Sequence, residues 1–243
     1  RSKAWLKKSQ GPLLVHWLYD PGLTSQSNDL PDSEAVHARS LRLRIGEKVS
    51  ITNGKGLIAQ AEMSGERSYR ISRTFQAPET APRFHLVQAL AKADRDELAM
   101  QTCVELGLAS VTPWSSDRAI VRWDGKEAKN QARWQQIAIE AMKQSQQAFL
   151  CEVNSVVTTK QIRAIGTALV LDPKADSSLS DYLPLQHDVT LVVGPEGGIS
   201  EHEFELLEAN GFKRVRLGKS VLRTSSAGPA AVAALQFASG LWG

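Results

Sequence analysis

The strongest constraint on the fold is an alternation of short apolar runs and amphipathic runs that begins near residue 84. Strand-like apolar runs cover residues 84–90, 110–114, 168–171, 189–193 and 214–217. Helical runs cover residues 94–106, 132–149, 201–210 and 226–237. Because strands that alternate with helices pair side by side in one direction, this pattern predicts an α/β domain with a mostly parallel sheet.

The first part of the sequence has a different pattern. Residues 13–19, 48–52, 57–63 and 69–75 favour strands, and Asn53-Gly54 and Ser64-Gly65 favour short turns between them. Residues 33–41 favour a helix, with Asp32 or Ser33 as its N-cap. Short strands joined by tight turns predict a small β-barrel. The proline-containing segment 76–82 is the predicted boundary, which gives domains of residues 1–77 and 78–243.

Composition excludes few classes of protein. The 243 residues carry a net charge of +3 and are 42% hydrophobic, as expected of a globular protein. No apolar run reaches the roughly 18 residues of a membrane span, and residues 1–10 lack the apolar core of a signal peptide. Cys103 and Cys151 are expected to be buried free thiols. We therefore expect a cytoplasmic location and no membrane partner.

One glycine-rich loop is a candidate ligand site. The apolar run that ends at Val193 leads into Gly194-Pro195-Glu196-Gly197-Gly198, and an acidic helix follows Ser200. Glycines at the carboxyl end of a parallel strand let the backbone approach a ligand closely. The alternative is a tight strand–helix connection that binds nothing.

A second loop repeats this arrangement. The strand-like run ending at Leu217 is followed by Gly218, the loop to Arg223, and a helix that starts near Thr224 to Ser226. The first N–H groups of a helix lack partners, and Arg223 suits a phosphate or a base edge. The alternative for Arg223 is an ordinary surface position. The five histidines are scattered, so no metal site is expected.

These loops, taken together, resemble the RsmE family, SPOUT-class methyltransferases that modify N3 of a uridine in 16S ribosomal RNA. The resemblance extends over about residues 34–240. It includes the motifs 37–46, 89–95, 104–107, 116–118 and 133–138.

The resemblance implies a SPOUT-type parallel-sheet domain with a C-terminal trefoil knot, preceded by a small PUA-like β-barrel, in a homodimer. It implies S-adenosylmethionine as the cofactor, bound by the loop after the 168–171 strand and by the two loops above. The cofactor-binding residues that it implies are Leu171, Gly194, Glu196, Gly197, Gly198, Leu217, Gly218, Val221, Leu222 and Thr224.

The resemblance also implies an RNA partner, 16S ribosomal RNA within the small subunit. Arg39, Arg42, Arg44 and Lys55 of the first domain are the expected phosphate contacts, although such a cluster can also be a solvated face. Arg223 is the expected catalytic residue, stabilising a uracil oxygen or a flanking phosphate. The glycine-containing loops offer no His or Asp, so the sequence names no general base.

One departure from the family pattern concerns the second loop. The family commonly has Glu where Ser225 stands here. Two alternatives therefore stay open: a SPOUT enzyme with another RNA target, and an RNA-binding protein that retains the fold without catalysis.

Overall fold

The computed structural model describes residues 16–242, so the first residues of the predicted strand at 13–19 and the N-terminal segment 1–10 lie outside the described residues. The chain packs as two units. Among the described residues, the first contains residues 16–79 together with 146–149, and the second contains residues 80–145 and 150–242.

In the described residues, the first unit is a four-stranded sheet with one helix. The strands are β1 (His16–Tyr19), β2 (Lys48–Thr52), β3 (Leu57–Met63) and β4 (Tyr69–Gln76), in the order β1-β2-β3-β4. β1 runs parallel to β2, and the other pairs are antiparallel. Leu18, Ile51 and Met63 are buried in its core.

Helix α1 (Asp32–Ser40) begins one residue earlier than predicted. Pro31 occupies the N-cap and no side chain caps the helix, so the predicted cap by Asp32 or Ser33 is wrong. Proline cannot donate a backbone hydrogen bond and its φ is already restricted, which suits it to a helix start.

Residues 146–149 belong to the first unit, which the sequence analysis did not predict. The helix expected over 132–149 ends at Gln144, and Gln146 adopts a left-handed φ of 58°. The Ala148 carbonyl then accepts hydrogen bonds from Gly56 N at 3.0 Å and from Thr52 Oγ1 at 3.0 Å. These contacts with the β2–β3 turn replace another helical turn.

The second unit is an α/β layer structure, which confirms the predicted fold class. Its six strands are all parallel, in the order β10-β8-β9-β5-β6-β7. They are β5 (Phe84–Ala89), β6 (Ser110–Trp114), β7 (Glu152–Val153), β8 (Thr167–Leu171), β9 (Val189–Val193) and β10 (Lys213–Val215).

Four helices cover this sheet: α2 (Arg95–Glu105), α3 (Glu127–Gln144), α4 (Glu201–Ala209) and α5 (Thr224–Ala238). Alternate residues of the strands bury opposite faces of the sheet. Leu86 and Leu191 pack in the core that holds Met100 of α2 and Val232 of α5. Neighbouring strand residues pack in a second core with Phe204 and Leu207 of α4.

Candidate functional site

A cleft lies at the carboxyl ends of the central parallel strands of the second unit. Its volume is about 1450 Å³, and its walls are the loops that follow β8, β9 and β10. Ligand pockets typically measure about 300–1,000 Å³. The cleft therefore has room for a cofactor and part of a second reactant.

The loop after β9 is a tight turn that requires glycine. Gly198 N donates to Pro195 O at 2.9 Å, and Gly198 has a left-handed φ of 73°. A Cβ added to Gly197 would lie 3.1 Å from the Arg118 carbonyl oxygen. The glycines thus permit both the turn and a close approach to the neighbouring backbone.

Glu196 is tied to the segment between β5 and α2. Its Oε1 accepts from Lys92 N at 3.3 Å and lies 3.3 Å from Arg95 Nη1. The carboxylate therefore holds the turn against another part of the cleft wall. This arrangement agrees with a role in organising the loop.

The loop before α5 lies between the two other loops of the cleft. Arg216 N donates to Ser177 O at 2.9 Å on one side, and Thr224 Oγ1 donates to Gly194 O at 2.8 Å on the other. Val221 and Leu222 line the cleft and are 76% and 39% exposed. The two hydrogen bonds hold the ends of the loop, and the apolar side chains of Val221 and Leu222 between them are available to a ligand.

Arg223 occupies the N-cap of α5. Its carbonyl accepts from Ser226 N at 2.8 Å and from Ala227 N at 2.9 Å, which starts the helix. Its exposed guanidinium lines the cleft and makes no hydrogen bond or ion pair within residues 16–242. Ser225 follows in the first helical turn and is half-buried.

The structure brings every predicted residue of the second unit's site to one cleft. Its lining includes Leu171, Gly194, Glu196, Gly197, Gly198, Leu217, Gly218, Val221, Leu222, Arg223 and Thr224. Their roles as cofactor-binding and catalytic residues stay predictions.

Sequence reasoning missed a cluster of charged side chains around Phe204 in the lining of the cleft. The Arg214 guanidinium stacks 3.9 Å over the Phe204 ring, with Nη2 2.6 Å from Glu201 Oε1 and Nε 2.8 Å from Glu208 Oε1. The hydrogen bond that Arg214 donates to the Glu201 carboxylate is the main cause of the raised pKa of Arg214. Asp172, directly after β8, is buried beside it. A charged residue that follows a buried strand was the available signal.

Buried Glu203 connects three segments near the cleft. Its Oε1 accepts from Asp117 N at 2.8 Å and from Thr159 Oγ1 at 2.9 Å. Its Oε2 accepts from Ser200 N at 3.1 Å, and Ser200 Oγ accepts from Glu203 N in a capping box. The side chain therefore anchors the start of α4, which follows the glycine turn.

The predicted RNA contacts lie in the first unit, and Arg39, Arg42, Arg44 and Lys55 are all exposed there. Arg42 N donates to Arg39 O and Leu43 N donates to Ala38 O, which is a Schellman ending of α1. Arg42 has a φ of 58° at the position that usually holds glycine. The backbone at Arg42 is therefore strained, and its charged side chain is exposed to solvent. Contact of this side chain with RNA stays a prediction.

Residues 16–242 contain neither a metal-binding cluster nor a membrane-spanning helix. No group of three or more His, Cys, Asp or Glu side chains is arranged to hold a metal ion. None of the helices in that range has the length and apolar character needed to cross a bilayer.

Sequence profiles match both units. The profile described as "RNA methyltransferase domain" matches residues 78–236, and the one described as "RNA methyltransferase PUA domain" matches residues 30–71. A Mycobacterium bovis protein named ribosomal RNA small subunit methyltransferase E is 34% identical over 238 residues, covering 88% of this chain and 90% of that protein. A Bacillus subtilis protein of the same name is 27% identical, covering 84% and 88%.

Solved structures agree with the profiles. Ribosomal RNA small subunit methyltransferase E from Neisseria gonorrhoeae, bound to S-adenosyl methionine, has a TM-score of 0.83 and 30% identity, covering 91% of this chain and 97% of that one. A putative methyltransferase from Legionella pneumophila, in complex with the same cofactor, has a TM-score of 0.83 and 31% identity, covering 93% and 98%. The chain therefore belongs to the RNA methyltransferase family of ribosomal RNA small subunit methyltransferase E.

Proposed function

We propose that this protein methylates 16S ribosomal RNA of the small subunit at N3 of a uridine, with S-adenosylmethionine as methyl donor, in the cytoplasm. One observation carries the proposal: the three loops predicted to bind the cofactor form the walls of a single cleft. Relatives at 30% and 31% identity that share this fold are solved with the cofactor bound.

The residues present fit S-adenosylmethionine. A Cβ at Gly194 would lie 2.6 Å from Ile199 Cγ1, so the glycine keeps the turn narrow and its backbone close to the cleft. Exposed Val221 and Leu222 offer an apolar surface for the adenosine moiety. The carbonyl and N–H groups of the glycine turn can make hydrogen bonds with the polar edges of the nucleoside.

When bound, S-adenosylmethionine supplies an electrophilic methyl group. Uracil N3 becomes nucleophilic when its proton passes to solvent, and negative charge then spreads to the uracil oxygens. In this proposal the exposed guanidinium of Arg223 and the first N–H groups of α5 stabilise that charge. Holding both reactants in one cleft can contribute about 7–11 kcal/mol to lowering the barrier.

In this proposal the first unit binds the RNA backbone. Exposed Arg39, Arg42, Arg44 and Lys55 have no competing ion pair within the part of the chain that the structure describes. They are therefore available for phosphates, which makes binding dependent on salt concentration.

A homodimer and a C-terminal knot complete the proposal. Apolar side chains on the second unit are exposed and suit burial by a second copy, namely Leu98, Ile120, Phe237 and Trp242. The loop before α5 makes hydrogen bonds with the loops that follow β8 and β9, which supports the proposed knot. Light scattering would measure the mass, with a monomer counting against the dimer.

Methyl transfer to small subunits that lack the modification tests the activity. Mass spectrometry of the RNA should locate one new methyl group on N3 of a uridine. Arg223→Ala should lower kcat about 100-fold or more while changing cofactor affinity little. Lys160→Ala, which removes an exposed cation outside the cleft, is the matched control and should behave as wild type.

The two alternatives give different results. A methyl group on another nucleotide would identify a SPOUT enzyme with another target. Absence of cofactor binding in calorimetry would favour an RNA-binding protein without catalysis.

A further inference from the structure

A buried amide lies directly beneath the cleft, at the carboxyl end of β5. Gln88 is fully buried, with an exposed fraction of 0%. Its Nε2 donates to Ala89 O at 3.1 Å and to Thr224 Oγ1 at 2.9 Å. Gln88 is therefore one layer behind the residues that line the cleft.

The directions of these hydrogen bonds follow from the chemistry of the groups. The Gly194 carbonyl can only accept, so the single hydroxyl proton of Thr224 points to it, at 2.8 Å. The same hydroxyl must then accept from Gln88, which places the amide nitrogen against Thr224. Both amide protons of Gln88 are thereby used.

The remaining atom of the amide argues against a purely stabilising role. Gln88 Oε1 is buried and has no hydrogen-bond partner among the described residues. A buried acceptor without a partner opposes folding, so an apolar residue of similar size would suit this core position better. Of its two donated hydrogen bonds, the one to Thr224 is the one that reaches a residue of the cleft lining.

We propose that Gln88 is a positioning residue for cofactor binding, acting through Thr224. By fixing the Thr224 hydroxyl, it holds the start of α5 against the first residue of the glycine turn. Two loops that are 30 residues apart in sequence are joined at this one hydrogen bond. The inference rests on the proposed function, since the ligand whose binding it affects is S-adenosylmethionine.

The chain contains a matched control. Gln236 of α5 is also buried, at 6% exposure, and its Nε2 donates to Leu106 O at 2.7 Å. That hydrogen bond satisfies the end of α2, and neither Gln236 nor Leu106 lines the cleft. Gln236→Leu therefore reports what the loss of a buried glutamine does to the fold alone.

The test measures S-adenosylmethionine affinity by calorimetry for the full chain. Gln88→Leu should weaken binding about tenfold, and Gln88→Glu at least as much, because a carboxylate draws the Thr224 proton away from Gly194. Gln236→Leu should bind the cofactor within about twofold of wild type. In steady-state assays, Gln88→Leu should raise the KM for the cofactor about tenfold and change kcat at saturation little.

A double-mutant cycle tests the route through Thr224. In a Thr224→Val background, Gln88→Leu should cause little further loss of affinity, whereas Thr224→Ser, which keeps the hydroxyl, should retain most of it. The inference is overturned if both Gln88 variants bind like wild type, or if Gln88→Leu has its full effect in the Thr224→Val background. Wild-type protein that binds no cofactor would instead overturn the proposed function and this inference with it.

Discussion

Glu203→Gln is the substitution whose cost the structure defines most completely. The carboxylate is fully buried and accepts hydrogen bonds from Asp117 N, Thr159 Oγ1 and Ser200 N. Glutamine has nearly the same shape, so no cavity forms. Its amide has one acceptor oxygen in place of two, and its NH2 group must face a backbone N–H, either that of Asp117 or that of Ser200.

The expected cost follows from these contacts. One buried backbone N–H loses its acceptor, which costs about 1–3 kcal/mol, and the remaining hydrogen bonds lose the contribution of the charge, which is of order 1 kcal/mol. We expect the free energy of unfolding of the second unit to fall by about 3 kcal/mol. With a urea m-value of about 2–3 kcal/mol/M, the midpoint should move down by about 1–1.5 M.

Urea unfolding followed by circular dichroism at the helical band measures this change, because the long helices belong to the second unit. Glu205→Gln on the same helix is the matched control, since its side chain is 68% exposed and its midpoint should shift by less than about 0.2 M. A midpoint for Glu203→Gln that matches the control would refute the reasoning. The carboxylate would then contribute no more to stability than a surface group.

Three other substitutions test separate features. Because φ is 73° at Gly198, Gly198→Ala should destabilise the protein by about 1–2 kcal/mol in thermal unfolding and weaken cofactor binding. An unchanged Tm would contradict this prediction. Arg42→Gly should increase the free energy of unfolding by about 0.5–1 kcal/mol, because φ is 58° there. It should also weaken RNA binding and lower the slope of log affinity against log salt concentration by about 0.9. Unchanged RNA affinity would show that Arg42 does not contact RNA. Burial lowers the pKa of His85 despite nearby Asp188, so neutral His85 favours the fold. Stability should therefore decline as the pH falls from about 6.5 toward the lowered pKa, and His85→Asn should flatten that part of the unfolding profile.

Local pattern was sufficient for most of the fold. The predicted bounds of the strands at 110–114 and 189–193 match β6 and β9, because short runs of buried apolar residues have a strong local signature. The helix predicted over 132–149 was wrong at both ends, since α3 covers Glu127–Gln144. The first turn of α3 is polar, so it lacks the apolar period from which the helix start could be predicted. The end of α3 depends on the hydrogen bonds of residues 146–149 with the β2–β3 turn.

The sequence by itself determined the type of most elements and the chemistry of the two glycine-containing loops, because hydrophobic period and glycine placement act over neighbouring residues. It did not predict the two-residue strand β7. Only the tertiary structure decided which loops meet. The order β10-β8-β9-β5 places Gly194 beside Thr224, and it places Gln88 against Thr224 from 136 residues away. Such contacts depend on strand order and side-chain direction, which arise from packing the whole sheet, and a local pattern of residues carries no record of them.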